Sequence, residues 1–312
     1  MKNLLTFLLV LISHTAFGQE NKHPIIDIHL HAYETIQPGI PASWAGEMEA
    51  QALTSSEDAT KHLQQVLSQM NKNNIVLALT SSTSLNAIKT WKQAEPDAFI
   101  GGIQTNDKGL PIVSPDSLKL LKDQGVIEVF GELGFQYFGL SPDDPRIDPY
   151  YKVAEKNNIP VCLHTGLGPP GGPHSFAPEF RTTLGKPTLF EPVLVKHPKL
   201  KAFLAHAGWP FISETIAMMY IYPELYVDIG VLTWALPKKV YYSALKELMD
   251  AGFGKRIMFG TDQMMWPEAI DIAVQTVRNT PFLSEEEKRH ILYNNAARFL
   301  ELDEETIAKH HE

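Results

Sequence analysis

Short runs of apolar and β-branched residues recur along the chain: Pro24 to His31, Asn74 to Thr80, Phe99 to Thr105, Val126 to Leu133, Ile159 to His164, Leu200 to His206, Leu225 to Ile229 and Arg256 to Thr261. Runs of this length with little alternation read as strands buried on both faces. Between them lie stretches whose apolar positions return every three or four residues, the spacing of a helix with one buried face. These are Ser56 to Asn71, Ser114 to Gln124, Asp148 to Asn157, Leu189 to His197, Phe211 to Tyr220, Lys239 to Asp250 and Glu268 to Asn279. Asp116 stands where it can complement the start of its helix. Strands alternating with helices imply a parallel sheet with right-handed crossovers. Eight such units predict a closed (β/α)8 TIM barrel. No GxGxxG follows the first run, which removes the main sign of an open dinucleotide-binding sheet.

Two segments carry no regular period. One is Ala32 to Thr54 after the first strand, and the other is the Gly- and Pro-rich Gly166 to Lys186 after the fifth. A barrel places such loops at its catalytic rim. The expectation is therefore a single α/β domain with extended loops after strands 1 and 5. The first residues add a second expectation. Met1-Lys2-Asn3, the apolar Leu4 to Ile12 and the small-residue end Ala16-Phe17-Gly18 read as a cleavable export signal, too short to remain as a membrane span. This predicts a signal peptide at 1–18, a barrel domain at 19–312, and a periplasmic or secreted product.

Composition narrows the partners. With 312 residues, 44% of them hydrophobic and 20% charged, the chain has ample material for one large core. A net charge of −9 with no basic block opposes nucleic acid and anionic membrane surfaces. The one cysteine, Cys162, allows neither an internal disulfide nor a cysteine-rich zinc site, and without a base beside it in sequence it reads as a buried, inert thiol. A small organic substrate is the expected partner, and a homo-oligomer stays open.

Chemistry-bearing residues gather at predicted strand ends. His29 and His31 close the first run two residues apart, so strand alternation turns both to one side. His164 ends the fifth run, His206 the sixth, and Asp262 follows the eighth. A lone histidine at such a position is more often a hydrogen-bonded core residue. Five ligand types at the same end of successive strands are hard to assign to chance. Neutral imidazoles plus a carboxylate suit zinc or a similar divalent ion, with an open position for water that the ion acidifies. Asp262 is then placed to touch the metal and take the proton, and His206 to orient the water or polarise the substrate. Glu132, at the end of the fourth run, has three readings: a bridge to a second cation, a hydrogen-bond partner for a ligand histidine, or a buried ion pair. One metal is expected, with two open.

As a set, the phrases IIDIHLH, VCLHTG, LAHAGWP, YVDIG, IMFGTD and ILYNNAARFL resemble the amidohydrolase superfamily, in its amidohydrolase-related (amidohydrolase 2) branch. The resemblance runs in order over nearly the whole chain beyond the signal. It implies His29, His31, His164 and Asp262 as metal ligands, His206 near the reacting water, and Glu132 as the glutamate that ends strand four in several members. No lysine ends strand four, so a carboxylated-lysine bridge is not expected.

The expected function is a metal-dependent hydrolase using metal-activated water on an amide, ester or lactone. The branch also contains non-oxidative decarboxylases of aromatic or unsaturated acids, which is the alternative. A non-catalytic binding protein on the same barrel is the third, opposed by the intact ligand set. Decarboxylation would need a cationic clamp on the substrate carboxylate, for which Arg181 and His174 are the candidates. Trp266, with Tyr33, Trp44, Phe176, Phe180, Trp209 and Trp234, would line an apolar pocket or equally pack the loops onto the barrel.

Overall fold

A computed structural model of the chain describes residues 23–312. The export-signal reading of residues 1–18 lies outside the described residues. Eight parallel strands pair in sequence order: β1 (Ile25–His31), β2 (Ile75–Ser82), β3 (Phe99–Ile103), β4 (Val129–Leu133), β5 (Val161–Leu163), β6 (Ala202–Leu204), β7 (Leu225–Asp228) and β8 (Ile257–Met258). The ring is drawn together between its first and last strands by two backbone bonds. The Ile28 N–H donates to the Phe259 carbonyl at 2.9 Å, and the Asp262 N–H to the His29 carbonyl at 2.7 Å. The architecture is the TIM barrel that the alternating pattern predicts.

Helices lie where the apolar spacing puts them, with ends set by local caps. Ala59–Asn73 starts on Asp58, whose carboxylate accepts from the Lys61 N–H, and stops at Asn74 in the left-handed region. Pro115–Asp123 starts on Ser114 with proline in its first turn. The pattern left the helix Leu85–Ala94 unnamed. It is capped by the Ser84 hydroxyl and buries Ala87, Ile88 and Trp91. No helix of the described residues is long and apolar enough to cross a membrane.

Five strands end earlier than their apolar runs, β3 by two residues and β7 by one. β5 stops before His164, β6 before His206, and β8 well before Thr261. At His206 and Asp262 the reason is backbone conformation: φ is +61° and +49° respectively, a region that leaves the strand ladder and costs energy in a non-glycine residue.

β1 contains a related device. Its register against β2 runs Asp27↔Ala78 and then Leu30↔Thr80, so three steps on β1 match two on β2. An extra residue reverses a strand's in-and-out phase. Ile26 and Ile28 can therefore pack in a buried cluster with Leu77, Leu79, Val129, Cys162, Phe203 and Met258, while His29 and His31, of opposite parity, turn into a polar cluster above it.

Candidate metal centre

His29, His31, Glu132, His164, His206 and Asp262 come from five places in the chain and are all buried. The structure brings them together at the C-terminal end of the strands. His31 Nε2 lies 2.8 Å from Asp262 Oδ1, and His29 Nε2 lies 3.9 Å from the same oxygen. Glu132 stands between two histidine pairs. Its Oε2 is 3.2 Å from His29 Nε2 and 3.5 Å from His31 Nε2, and its Oε1 is 2.6 Å from His164 Nδ1 and 3.1 Å from His206 Nε2. Two sets of three could each hold an ion: His29, His31 and Asp262, and Glu132, His164 and His206. A third set, His29, His206 and Asp228, overlaps both.

A layer of hydrogen bonds fixes these side chains. Asp228, at the end of β7, takes His29 Nδ1 at 2.9 Å through one oxygen. Its other oxygen accepts from the His206 N–H at 3.0 Å and the Gly230 N–H at 2.7 Å. Gly230 has no room for a side chain, because a Cβ there would lie 2.9 Å from Asp228 Oδ1 and 3.1 Å from His29 Nδ1. Asp27 accepts from the His29 and Thr261 N–H groups and from the Thr261 hydroxyl. Gln263 grips the backbone of His31 on both sides, accepting from its N–H and donating to its carbonyl, each at 3.0 Å. The Gln104 amide nitrogen sits 2.9 Å from His31 Nδ1.

The electrostatics favour added positive charge. Burial alone would lower the pKa of His29, yet the charges of Glu132, Asp228 and Asp262 hold it well above the ordinary histidine value. Burial likewise opposes ionisation of Glu132, but His29 and His164 hold its carboxyl well below the usual range. Asp27 behaves differently: burial pushes it up to about 7 despite three hydrogen bonds. Burial also pushes up the Cys162 thiol, consistent with an inert side chain.

A divalent cation fits the residues present. Among the described residues no Lys or Arg is buried, so the clustered carboxylates have only imidazoles to balance them. His164 Nε2 is buried without a hydrogen-bond partner, and His29 Nε2 makes no hydrogen bond although Glu132 Oε2 lies 3.2 Å away, an arrangement that costs about 1–3 kcal/mol per group unless something occupies it. The donors are imidazole nitrogens and carboxylate oxygens, the mixture that zinc and manganese accept.

The remaining site candidates stand apart from this cluster. His174 is exposed in the loop after β5. Arg181 is exposed too, and its guanidinium donates to the Pro178 and Phe180 carbonyls of its own loop at 2.9 and 2.8 Å. Trp266 is buried, donates to the Ile40 carbonyl and packs on Trp44 and Trp234, fastening the loop after β1. Tyr137 reaches the cluster instead, its ring 4.9 Å from His164 and 5.3 Å from Phe180. Sequence reasoning passed over Asp27, Gln104, Asp228, Gln263 and Tyr137. Asp228 alone carried a signal, as a carboxylate ending a strand like Asp262.

An eight-stranded parallel barrel with a histidine and carboxylate cluster at its C-terminal rim defines an α/β-barrel protein with a candidate metal centre. The amidohydrolase family model matches residues 26–302, and the chain belongs to that metal-dependent family of hydrolases and decarboxylases. Among solved structures it is similar to an uncharacterized TIM-barrel protein from Bordetella bronchiseptica, at 21% identity and TM-score 0.64 over 89% of this chain and 98% of that one. It is also similar to a probable 2-pyrone-4,6-dicarboxylic acid hydrolase from Acinetobacter baumannii, at 15% identity and TM-score 0.63 over 89% and 99%. A 5-carboxyvanillate decarboxylase from Novosphingobium aromaticivorans, complexed with manganese, aligns at 15% identity and TM-score 0.60 over 91% and 98%. At these identities the likeness speaks to fold. A curated relative, Protein fluG of Emericella nidulans, is 24% identical over 169 residues, covering 49% of this chain and 18% of that protein.

Proposed function

We propose that the protein is a metal-dependent hydrolase that opens an ester, lactone or amide bond of a small organic acid or its derivative. The observation that carries this reading is the convergence of His29, His31 and Asp262, and of Glu132, His164 and His206, into two sets that could each hold an ion, with no Lys or Arg buried among the described residues to balance the carboxylates. His29, His31, His164 and Asp262 would hold the cation, with zinc as the first candidate and Glu132 as the residue that admits a second. When bound, a divalent cation supplies Lewis acidity and brings a water's pKa toward neutrality.

The chain's own residues do the rest. Asp262 stands at the rim with Oδ1 on His31, so its carboxylate is the base that takes the proton of the attacking water. His206 is held through Nδ1, 3.1 Å from the Gly230 carbonyl, which leaves Nε2 facing the cluster to orient that water or polarise the scissile carbonyl. The family and the neighbours named above support hydrolysis and decarboxylation alike. The loop-bound state of Arg181 favours hydrolysis, because the guanidinium that would clamp a substrate carboxylate is already engaged.

Two measurements test the proposal on purified full-length protein. Elemental analysis should find at least one equivalent of divalent metal, reduced below about half an equivalent by His29→Ala or Asp262→Asn. Turnover of a panel of lactones, amides and hydroxybenzoates should release acid or amine. Carbon dioxide release without hydrolysis would replace this reading with the decarboxylase one, and a metal-free wild type would end both.

A further inference from the structure

Tyr137 sits in a short helical turn, Phe135–Phe138, that begins two residues after the end of β4. Its ring lies against three aromatic neighbours: His164 at 4.9 Å, Phe180 at 5.3 Å and Phe176 at 6.3 Å between centroids. Two glycines close on the ring's edges. A Cβ on Gly134 would lie 3.0 Å from Tyr137 Cδ2, and one on Gly168 would lie 2.9 Å from both Cε1 and the hydroxyl oxygen. The ring is thus held in a slot between the turn after β4 and the loop after β5. That loop is tied to the turn one residue earlier, where the Gln136 side chain donates to the Gly166 carbonyl at 3.2 Å.

The ring is fixed, but its hydroxyl is not engaged. A tyrosine hydroxyl withdrawn from bulk water ordinarily finds a hydrogen-bond partner, yet among the described residues that of Tyr137 has none. Nor is it one of the fully enclosed polar atoms without partners. Tyr137 is only half-buried, so the oxygen opens toward the rim. Burial, and after it the charges of Glu132 and Asp262, holds the hydroxyl well above the ordinary tyrosine value. The oxygen therefore stands within electrostatic reach of both carboxylates and keeps its proton. A fixed donor with no acceptor in the protein, set beside the candidate base and metal ligands, fits an acceptor that arrives with the substrate.

We propose that the Tyr137 hydroxyl is a substrate-contacting donor, which holds the carbonyl oxygen of the scissile ester, lactone or amide and stabilises the negative charge that oxygen gains as water adds. The inference rests on the hydrolase reading given above. In the step, the water oxygen bonds to the carbonyl carbon, the carbonyl π pair moves onto its oxygen, and the water proton passes to the Asp262 carboxylate. Tyr137 keeps its own proton, and its hydrogen bond strengthens as the charge builds. When the adduct collapses, the pair returns, the bond to the alcohol or amine breaks, and Asp262 gives that leaving atom its proton. With Tyr137 on the carbonyl oxygen, His206 is left to orient the water.

Tyr137→Phe keeps the ring in its slot and removes only the hydroxyl. The probe is methyl phenylphosphonate, a stable tetrahedral anion shaped like an ester adduct, titrated calorimetrically into zinc-loaded full-length protein. The wild type should bind it, and Tyr137→Phe should bind at least about tenfold more weakly, the loss of one hydrogen bond to a charged oxygen. Hydrolysis of dihydrocoumarin and phenyl acetate should fall about 100-fold in kcat, with KM within about threefold of wild type. Metal content and melting temperature should match the wild type. A variant that loses metal along with turnover would show that the hydroxyl supports His164, and would overturn the proposal. Equal binding of the phosphonate by both proteins, no binding by the wild type, or kcat of the variant within about threefold of wild type overturns it while the hydrolase reading stands. A wild type that takes up no metal or hydrolyses no ester, lactone or amide ends the hydrolase reading, and this inference with it.

Discussion

Asp228 Oδ2 lies 2.9 Å from His29 Nδ1, and the other oxygen of the same carboxylate holds the backbone N–H of His206. One buried side chain thus sets both the ring orientation of a candidate metal ligand and the position of the histidine next to it. The bond also leaves Nε2 as the nitrogen of His29 that faces the cluster.

Asp228→Asn keeps the shape and removes the charge. A carboxylate behind a ligand histidine typically contributes 10–100-fold in metal affinity or activity. The variant should therefore fold normally and bind the divalent cation at least tenfold more weakly in competition with a chromophoric chelator. An affinity equal to wild type would show that His29 is positioned by the backbone alone.

Stoichiometry separates the bridging reading of Glu132 from the other two. Its oxygens face different histidine pairs, His29 with His31 and His164 with His206. If the carboxylate links two cations, the wild type should reach two equivalents of metal and Glu132→Gln one. If it steadies His164, metal content should stay at one equivalent in both. In either case the loss of a buried anion among four imidazoles should lower kcat/KM by at least about 100-fold, since it removes charge that both pairs share.

His62 gives a pH test that is read on stability. It is buried against Trp91 and Tyr33, its Nε2–H donates to the Met264 carbonyl at 3.0 Å, and burial lowers its pKa to about 4. Above the ordinary histidine value of 6.5 both folded and unfolded chains carry it neutral, so it costs nothing. Between 6.5 and about 4 the unfolded chain takes the proton first, and stability falls with pH. The full window, about 2.5 pKa units, is worth roughly 3.4 kcal/mol at about 1.36 kcal/mol per unit. His62→Gln should flatten the fall in melting temperature between pH 7 and pH 5 relative to wild type. A parallel fall in both proteins would assign the acid sensitivity to other groups.

The pattern of apolar runs was enough for the barrel, because eight strands buried on both faces leave a repeating mark that no single loop disturbs. His29, His31, Glu132, His164, His206 and Asp262 were legible for the same reason: each interrupts an apolar run at its end. The layer behind them was not. Asp228 meets His29 across 199 residues of sequence, and Gln263 meets His31 across 232, so beyond the place of Asp228 at the end of a strand nothing in the local pattern marks these partners. The true strand ends were hidden too, since a left-handed φ at His206 or Asp262 is a tertiary choice. The same holds for the extra residue in β1. The periodicity of two that pairs His29 with His31 is correct, but the turn of both into the site needs a register slip visible only against β2.

The choice between hydrolysis and decarboxylation rests on a guanidinium. Arg181 was the leading cation for a substrate carboxylate, and its Nη1 now donates to the Pro178 and Phe180 carbonyls, holding the loop in which Phe180 packs on Tyr137 and Tyr137 on His164. Removing an exposed side chain that bonds only its own loop should cost no more than about 0.5 kcal/mol of stability. Arg181→Ala should therefore leave kcat on a hydrolysable substrate within about threefold of wild type, with any effect falling on KM as the loop loosens. A substrate clamp behaves differently: losing a charge-assisted, two-pronged bond to a carboxylate costs upwards of about 1.5–3 kcal/mol, or roughly 10–150-fold. A loss of that size, restricted to carboxylated substrates and spared by Arg181→Lys less than by a change at Tyr137, would show that the loop rearranges on binding and delivers the guanidinium to the rim.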